Sequence, residues 1–260
     1  MVPAMSEQRD KTWSGVAIIT GASSGIGEAI ARKLAPIAKG LVISARRIDR
    51  INTLASHLGE HVIPMQCDVR NQQEVEELAN QAMHHFGRID AIINNAGIAP
   101  MASMLRCRVE DWDNMIDTNL KGVLYGIAAV LPHMLEQKTG TIINISSEAA
   151  RKIFLGAGVY CATKHAIRAL SEGLQQDLSA RSRKDRNAIR VATIAPGVVM
   201  TDLAESVTYE PAKQDLIKGM ESVSEPLTAE NIAECVTFIL NSPSHVEVGE
   251  IIVRPTKQNM

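Results

Sequence analysis

Seven short apolar runs punctuate the chain, at residues 16–19, 41–43, 62–64, 91–93, 141–145, 191–194 and 251–253. None alternates strictly between apolar and polar positions, which is the pattern of strands buried on both faces. Between them lie longer segments, 25–37, 71–86, 111–137, 160–182 and 228–241, in which apolar residues recur every three or four positions. That spacing predicts helices. Two of them open on residues suited to capping, Asn71 and Thr228, the latter with Asn231 three positions on. Strand alternating with helix on this scale predicts an α/β fold, a doubly wound parallel sheet of seven strands with helices on both faces. No composition break, linker or repeat divides the chain. Residues 13–260 therefore read as one domain behind a short polar segment, 1–12, expected to be flexible. The stretch 201–227, with Pro211 and Pro226, is less regular. A stretch this long between a strand and the next firm helix is often a lid; a pair of ordinary surface helices is the plainer alternative.

Composition narrows the function classes by exclusion. A net charge of -2 over 260 residues gives no basic field for nucleic acid or membrane surfaces, and 3% aromatics leave little to stack bases on. Cys67, Cys107, Cys161 and Cys235 are far apart and form no CxxC pair, so neither a zinc site nor a disulfide framework is expected. The histidines, His84 and His85 included, read as solvated helix residues rather than metal ligands. No apolar run approaches the ~18 residues of a membrane span, and the first ten residues lack the core of a signal peptide. A cytoplasmic protein is the expectation.

The first strand runs into Gly21-Ala22-Ser23-Ser24-Gly25-Ile26-Gly27 and then into a helix. Glycines permit a tight turn there, and the helix start points free N–H groups and its positive dipole end at a pyrophosphate. The spacing is GxxxGxG, not the GxGxxG of the ordinary Rossmann fingerprint, but its place between strand and helix supports a Rossmann-like dinucleotide site. An NAD site keeps an acid about 20 residues further on for the ribose 2′-hydroxyl. Here the second strand ends at Ala45, followed by Arg46 and Arg47. Guanidiniums suit a 2′-phosphate, so NADP is expected over NAD.

Tyr160 and Lys164 stand four residues apart, on one helix face. A free phenol is ionised in roughly one molecule per thousand at pH 7, and a neighbouring cation raises that fraction. Alone, the pair is a common surface pattern. Ser147 precedes Tyr160 by thirteen residues, Asn119 lies in the helix starting near Asp111, and Asn94-Asn95-Ala96-Gly97 ends the fourth strand. With Cys67-Asp68-Val69 and Pro196-Gly197, these pieces give the chain, over about residues 14–255, a resemblance to the short-chain dehydrogenase/reductase family.

The resemblance implies a role for each. Tyr160 would be the proton donor and acceptor at the substrate oxygen, and Ser147 would hydrogen-bond that oxygen. Lys164 would bind the nicotinamide ribose and lower the Tyr160 pKa, and Asn119 would hold a water in a relay reaching Lys164. Asp68 and Val69 would contact the adenine and Asn95, with Ala96 and Gly97, the adenine-side ribose region. Pro196, Gly197, Val199 and Thr201 would seat the carboxamide. The same family implies a homo-oligomer, a dimer or a tetramer. Its side chains are apolar beyond what one sheet face needs, in the 111–137 helix (Ile116, Leu120, Leu124, Leu131 among them). The 160–182 helix carries a small-residue line of Ala162, Ala166, Ala169 and Gly173.

Glu148, Arg151 and Lys152 follow Ser147 where family members place pocket walls; Arg151 reads either as a carboxylate anchor or as a surface or interface arginine. The tail 252–258 looks like that of bacterial relatives acting on small hydroxy acids and aldehydes. Cys161 reads as a packed thiol. Three function classes follow: a carbonyl/alcohol oxidoreductase, an epimerase or dehydratase on the same scaffold, and a redox sensor that holds NADP without turnover. Stoichiometric cofactor change separates the first from the second. Sensors usually lack the Tyr or the Lys, and this chain has both.

Overall fold

A computed structural model describes residues 12–185 and 187–258. Of the N-terminal segment 1–12, only Thr12 falls among them. Seven strands, β1 (Val16–Thr20), β2 (Gly40–Ala45), β3 (Val62–Gln66), β4 (Ala91–Asn94), β5 (Thr139–Ile145), β6 (Ala188–Pro196) and β7 (Glu250–Val253), form one sheet. It is parallel throughout, in the order β3-β2-β1-β4-β5-β6-β7. This is the Rossmann-like architecture that the apolar runs predict.

Neighbouring residues within each strand explain why those runs do not alternate. Ile19, Ile43, Ile93, Ile143 and Ile194 pack under one helical layer: α1 (Gly25–Leu34), α2 (Ile48–Leu58) and α8 (Ala229–Asn241). Ile18, Val42, Ile92, Ile142 and Val191 pack under the other: α3 (Gln72–Phe86), α5 (Gly122–Gln137) and α6 (Gly158–Asp185). Both faces are covered, so both parities must be apolar. The caps form as expected: Asn71 accepts from Gln73 N at 3.1 Å, and Asn231 Oδ1 accepts from Thr228 N at 2.9 Å.

Several elements differ from the sequence expectation, among them α2, which lies outside the expected helical segments, and α6, which runs to Asp185 rather than 182. Helix α1 ends at Leu34 rather than at 37. The helix expected over 111–137 is not one helix. It begins as α4 (Val109–Ile116), widens into a π turn (Asp117–Lys121) and resumes as α5. That wide turn rotates the following face, and it turns Thr118 and Asn119 inward, where both are buried. The stretch 201–227 holds a 3-10 turn (Asp202–Ser206) and α7 (Glu210–Glu221), and its first residues, Thr201, Asp202, Leu203, Glu205 and Ser206, line a cavity. Among the described residues no helix is long and apolar enough to cross a membrane, and no three His, Cys, Asp or Glu side chains are placed to hold a metal ion.

Candidate active site

The strand order reverses between β1 and β4, and there the carboxyl ends of the strands open onto a cavity of about 360 Å3. Its floor is the turn after β1. Gly21 takes φ +68°, and a Cβ there would meet the Ala96 backbone at 2.7 Å, so both conformation and space demand glycine. Asn95 fastens the turn: its Nδ2 donates to the carbonyls of Thr20 and Gly21, each at 3.0 Å. Ser23, Ser24, Gly25 and Ile26 line the cavity, while Gly27 is buried behind them. No side chain caps the start of α1 at Ser24, so its first N–H groups have no capping acceptor and suit an anion.

One end of the cavity is cationic. Arg46 and Arg47 line it just past Ala45, with no carboxylate at the end of β2. Arg47 opens α2 and donates to the Ser23 and Ser24 hydroxyls at 2.9 and 3.0 Å. Asp68 and Val69 line the same end. The Asp68 carboxylate is bound by Arg70 at 2.6 Å, which holds its pKa below the usual range.

The other end holds the phenol and the ammonium. Tyr160 and Lys164 both line the cavity, and the Lys164 nitrogen stands 5.8 Å from the Tyr160 ring centre. Ser147 Oγ accepts from Ala149 N at 3.1 Å and hydrogen-bonds the Tyr160 side chain. Burial pushes the phenol up to about 12 against the pull of that bond. Burial also draws Lys164 down from 10.5 to about 8, and its ammonium donates to the Ile145 carbonyl at 3.0 Å. In this arrangement desolvation, not the lysine, sets the phenol's acidity.

Asn119 reaches the site from the π turn. Its amide exchanges bonds with the Ile98 backbone at 2.8 and 2.9 Å and donates to Thr163 Oγ1 at 3.2 Å. Asn119 Oδ1 and Lys164 Nζ are both near neighbours of Gly97. Ala96, Gly97 and Thr201 line the cavity; Asn119, Ser147, Pro196, Gly197 and Val199 are not among its lining residues. Val199 instead bridges to Leu227. Arg151 is paired with Glu250 of β7.

The sequence reading missed Ile98, Thr118, Ile145 and Ser146, and the covering residues Asp202, Leu203, Glu205 and Ser206. Ser146 follows directly from the end of β5, so strand register alone would have found it. For 202–206 the sequence left a choice between a lid and ordinary surface helices, and contacts such as Ala99 N to Ser206 Oγ, 2.8 Å, set their place.

A family model described as short chain dehydrogenase matches residues 15–212. The chain belongs to the short-chain dehydrogenase family of oxidoreductases. An uncharacterised oxidoreductase of Staphylococcus saprophyticus is 39% identical over 257 residues, 98% of this chain and 100% of that protein. Among solved structures, serine dehydrogenase complexed with NADP+ aligns with TM-score 0.86 and 34% identity, covering 94% of this chain and 96% of that one. A short-chain dehydrogenase/reductase from Burkholderia phymatum in complex with NAD aligns with TM-score 0.83 and 27% identity, covering 93% and 89%. Short-chain dehydrogenase relatives of this one thus carry either nucleotide in the same fold.

Proposed function

We propose that this protein is an NADP-dependent oxidoreductase that interconverts a carbonyl and an alcohol, with a small hydroxy acid or aldehyde as its substrate class. The observation that carries the reading is a single cavity with Arg46 and Arg47 at one end and Tyr160 and Lys164 at the other. A dinucleotide bound there would find a partner at each end. The uncapped start of α1 suits its pyrophosphate, and the arginine pair suits a 2′-phosphate. The likeness to an NADP+-bound serine dehydrogenase supports both the nucleotide and a small hydroxy acid.

When bound, the nicotinamide supplies the hydride in reduction and accepts it in oxidation. Tyr160, held protonated by its burial, gives its proton to the substrate oxygen in reduction. Ser147 hydrogen-bonds the same oxygen as negative charge builds on it. Lys164, its nitrogen 5.8 Å from the phenol ring centre, would bind the nicotinamide ribose and stabilise the phenolate that remains. Asn119 holds the Ile98 segment beside the lysine, where a proton relay through water would pass. The protein acts as a homo-oligomer in the cytoplasm.

The test is a panel of carbonyls and alcohols followed at the nicotinamide absorbance, with wild type beside Tyr160→Phe and Lys164→Ala. Tyr160→Phe should lose about 10^2- to 10^4-fold in kcat with NADPH affinity intact, the worth of a general acid. Lys164→Ala should damage both. A Phe variant as active as wild type removes Tyr160 from the chemistry. Turnover without net change in the nucleotide would point to epimerisation or dehydration instead.

A further inference from the structure

Glu148 follows Ser147 and is 3% exposed, a carboxylate that none of the steps above uses. Two stretches of chain converge on it, the turn that follows it and the distant C-terminal tail. Lys152 and Arg254 each approach Oε1 at 3.2 Å, and Gln258 Nε2 donates to Oε2 at 2.5 Å. Gln258 faces two ways. Its Oε1 accepts from Val198 N at 2.9 Å, in the segment that leaves β6 and reaches the cavity wall at Thr201. The other edge of that segment is pinned independently, by Leu227 N to Val198 O at 3.0 Å and Met200 N to Leu227 O at 2.9 Å. Gly197 completes the arrangement, for a Cβ there would fall on Gln258 Oε1. The tail is thus stitched into a slot between the turn after Ser147 and the segment after β6.

We propose that Glu148 is a positioning residue. Through Gln258 it fixes the 197–201 wall against the Tyr160 end of the cavity, so that this end is already formed when a dinucleotide arrives. The inference rests on the nucleotide reading of the cavity given above. A buried carboxylate suits the task, because charge-assisted bonds are the strong ones and leaving it unpaired in the interior is costly. The arginine-lined end is built by residues just past β2, which none of the hydrogen bonds of this clamp reaches.

The geometry therefore separates two ligands. Binding of NADPH and of adenosine 2′,5′-bisphosphate, which lacks the nicotinamide half, is measured calorimetrically for wild type, Glu148→Ala and Gln258→Leu, with thermal midpoints alongside. NADPH affinity should fall about tenfold in both variants, as expected for loss of one charge-assisted bond, with the bisphosphate unchanged within about twofold. A double variant, Glu148→Gln with Gln258→Glu, keeps a donor and a carboxylate in the same contact and should recover most of the loss. Two results overturn the proposal: both ligands weakening in parallel, or NADPH binding equally well to every variant. So does a double variant no better than the worse single one. If wild type binds neither ligand, the nucleotide reading itself fails, and this inference fails with it.

Discussion

At the end of β2 a methyl group, Ala45, is followed by two guanidiniums that line the cavity. Replacing Ala45 by Asp and Arg46 by Gln offers a carboxylate to ribose hydroxyls and repels a phosphate. The kcat/KM ratio of NADPH to NADH should then drop by about 10- to 100-fold and reverse, the worth of one charged hydrogen bond gained or lost. Wild type using both nucleotides equally would contradict the role given to the arginines. Lys164 offers a second test at this scale. Its pKa is about 8 in the folded protein against 10.5 for the ordinary side chain. Between those values the unfolded chain holds a proton that the native one has shed, so stability rises with pH there. Tyr160 and Cys67, both pushed up to about 12 by burial, act oppositely, from their ordinary values of 10.0 and 9.0 upward. The difference in unfolding free energy between wild type and Lys164→Met isolates the lysine. In the nucleotide-free protein it should grow from pH 8 toward 10.5, by at most about 1.4 kcal/mol per pH unit. A flat difference would show the ammonium to be well solvated.

The element that covers the cavity is held to the body by a few polar contacts. Asp111 of α4, itself buried, accepts from Arg108 and from Thr208 Oγ1, the latter at 2.8 Å. Arg106 and Arg108 lie over the Tyr209 ring at 4.4 and 5.9 Å. Thr208 and Tyr209 join the 3-10 turn to α7, so these contacts latch the cover from behind. Asp111→Ala should free it: tryptic cleavage at Lys213 and Lys218 of α7 should quicken by about tenfold, while the sheet stays resistant. Unchanged cleavage would place the latch elsewhere. Helix α2 was not among the segments expected to be helical, although its spacing carries the signal. Ile48, Ile51, Leu54, Ala55 and Leu58 carry helical spacing, and Ile51, Leu54 and Ala55 are buried. The π turn had no such mark. Apolar spacing reports which face is buried, not how many residues close each turn.

For the whole molecule, the open question is what meets the outer faces of α4, α5 and α6. Ile116 and Leu124 are 38% and 43% exposed, and Ala162, Ala169 and Gly173 form an exposed small-residue line on α6. The sheet covers only one side of these helices, and a second copy of the chain would cover the other about a two-fold axis. Sedimentation at micromolar concentration should show a dimer or tetramer. Leu124→Glu should shift it toward monomer with loss of activity, because α6 carries Tyr160 and Lys164. A fully active wild-type monomer would refute the assembly.

Burial on both faces favours apolar residues on both parities of a strand, and a tight turn beneath an anion demands glycines. These are local demands, so the seven strands and the 21–27 turn were legible in the sequence, whereas Ser147, Tyr160 and Lys164 stood out as a set through the family resemblance. The tertiary structure alone decided what depends on partners far along the chain. Arg151 is taken by Glu250, the phenol's acidity is set by desolvation, and the 201–221 cover is latched by Asp111. Glu148 meets a tail more than a hundred residues away. No periodicity in a sequence records such pairings, because their energy exists only once the sheet has brought both partners to one edge.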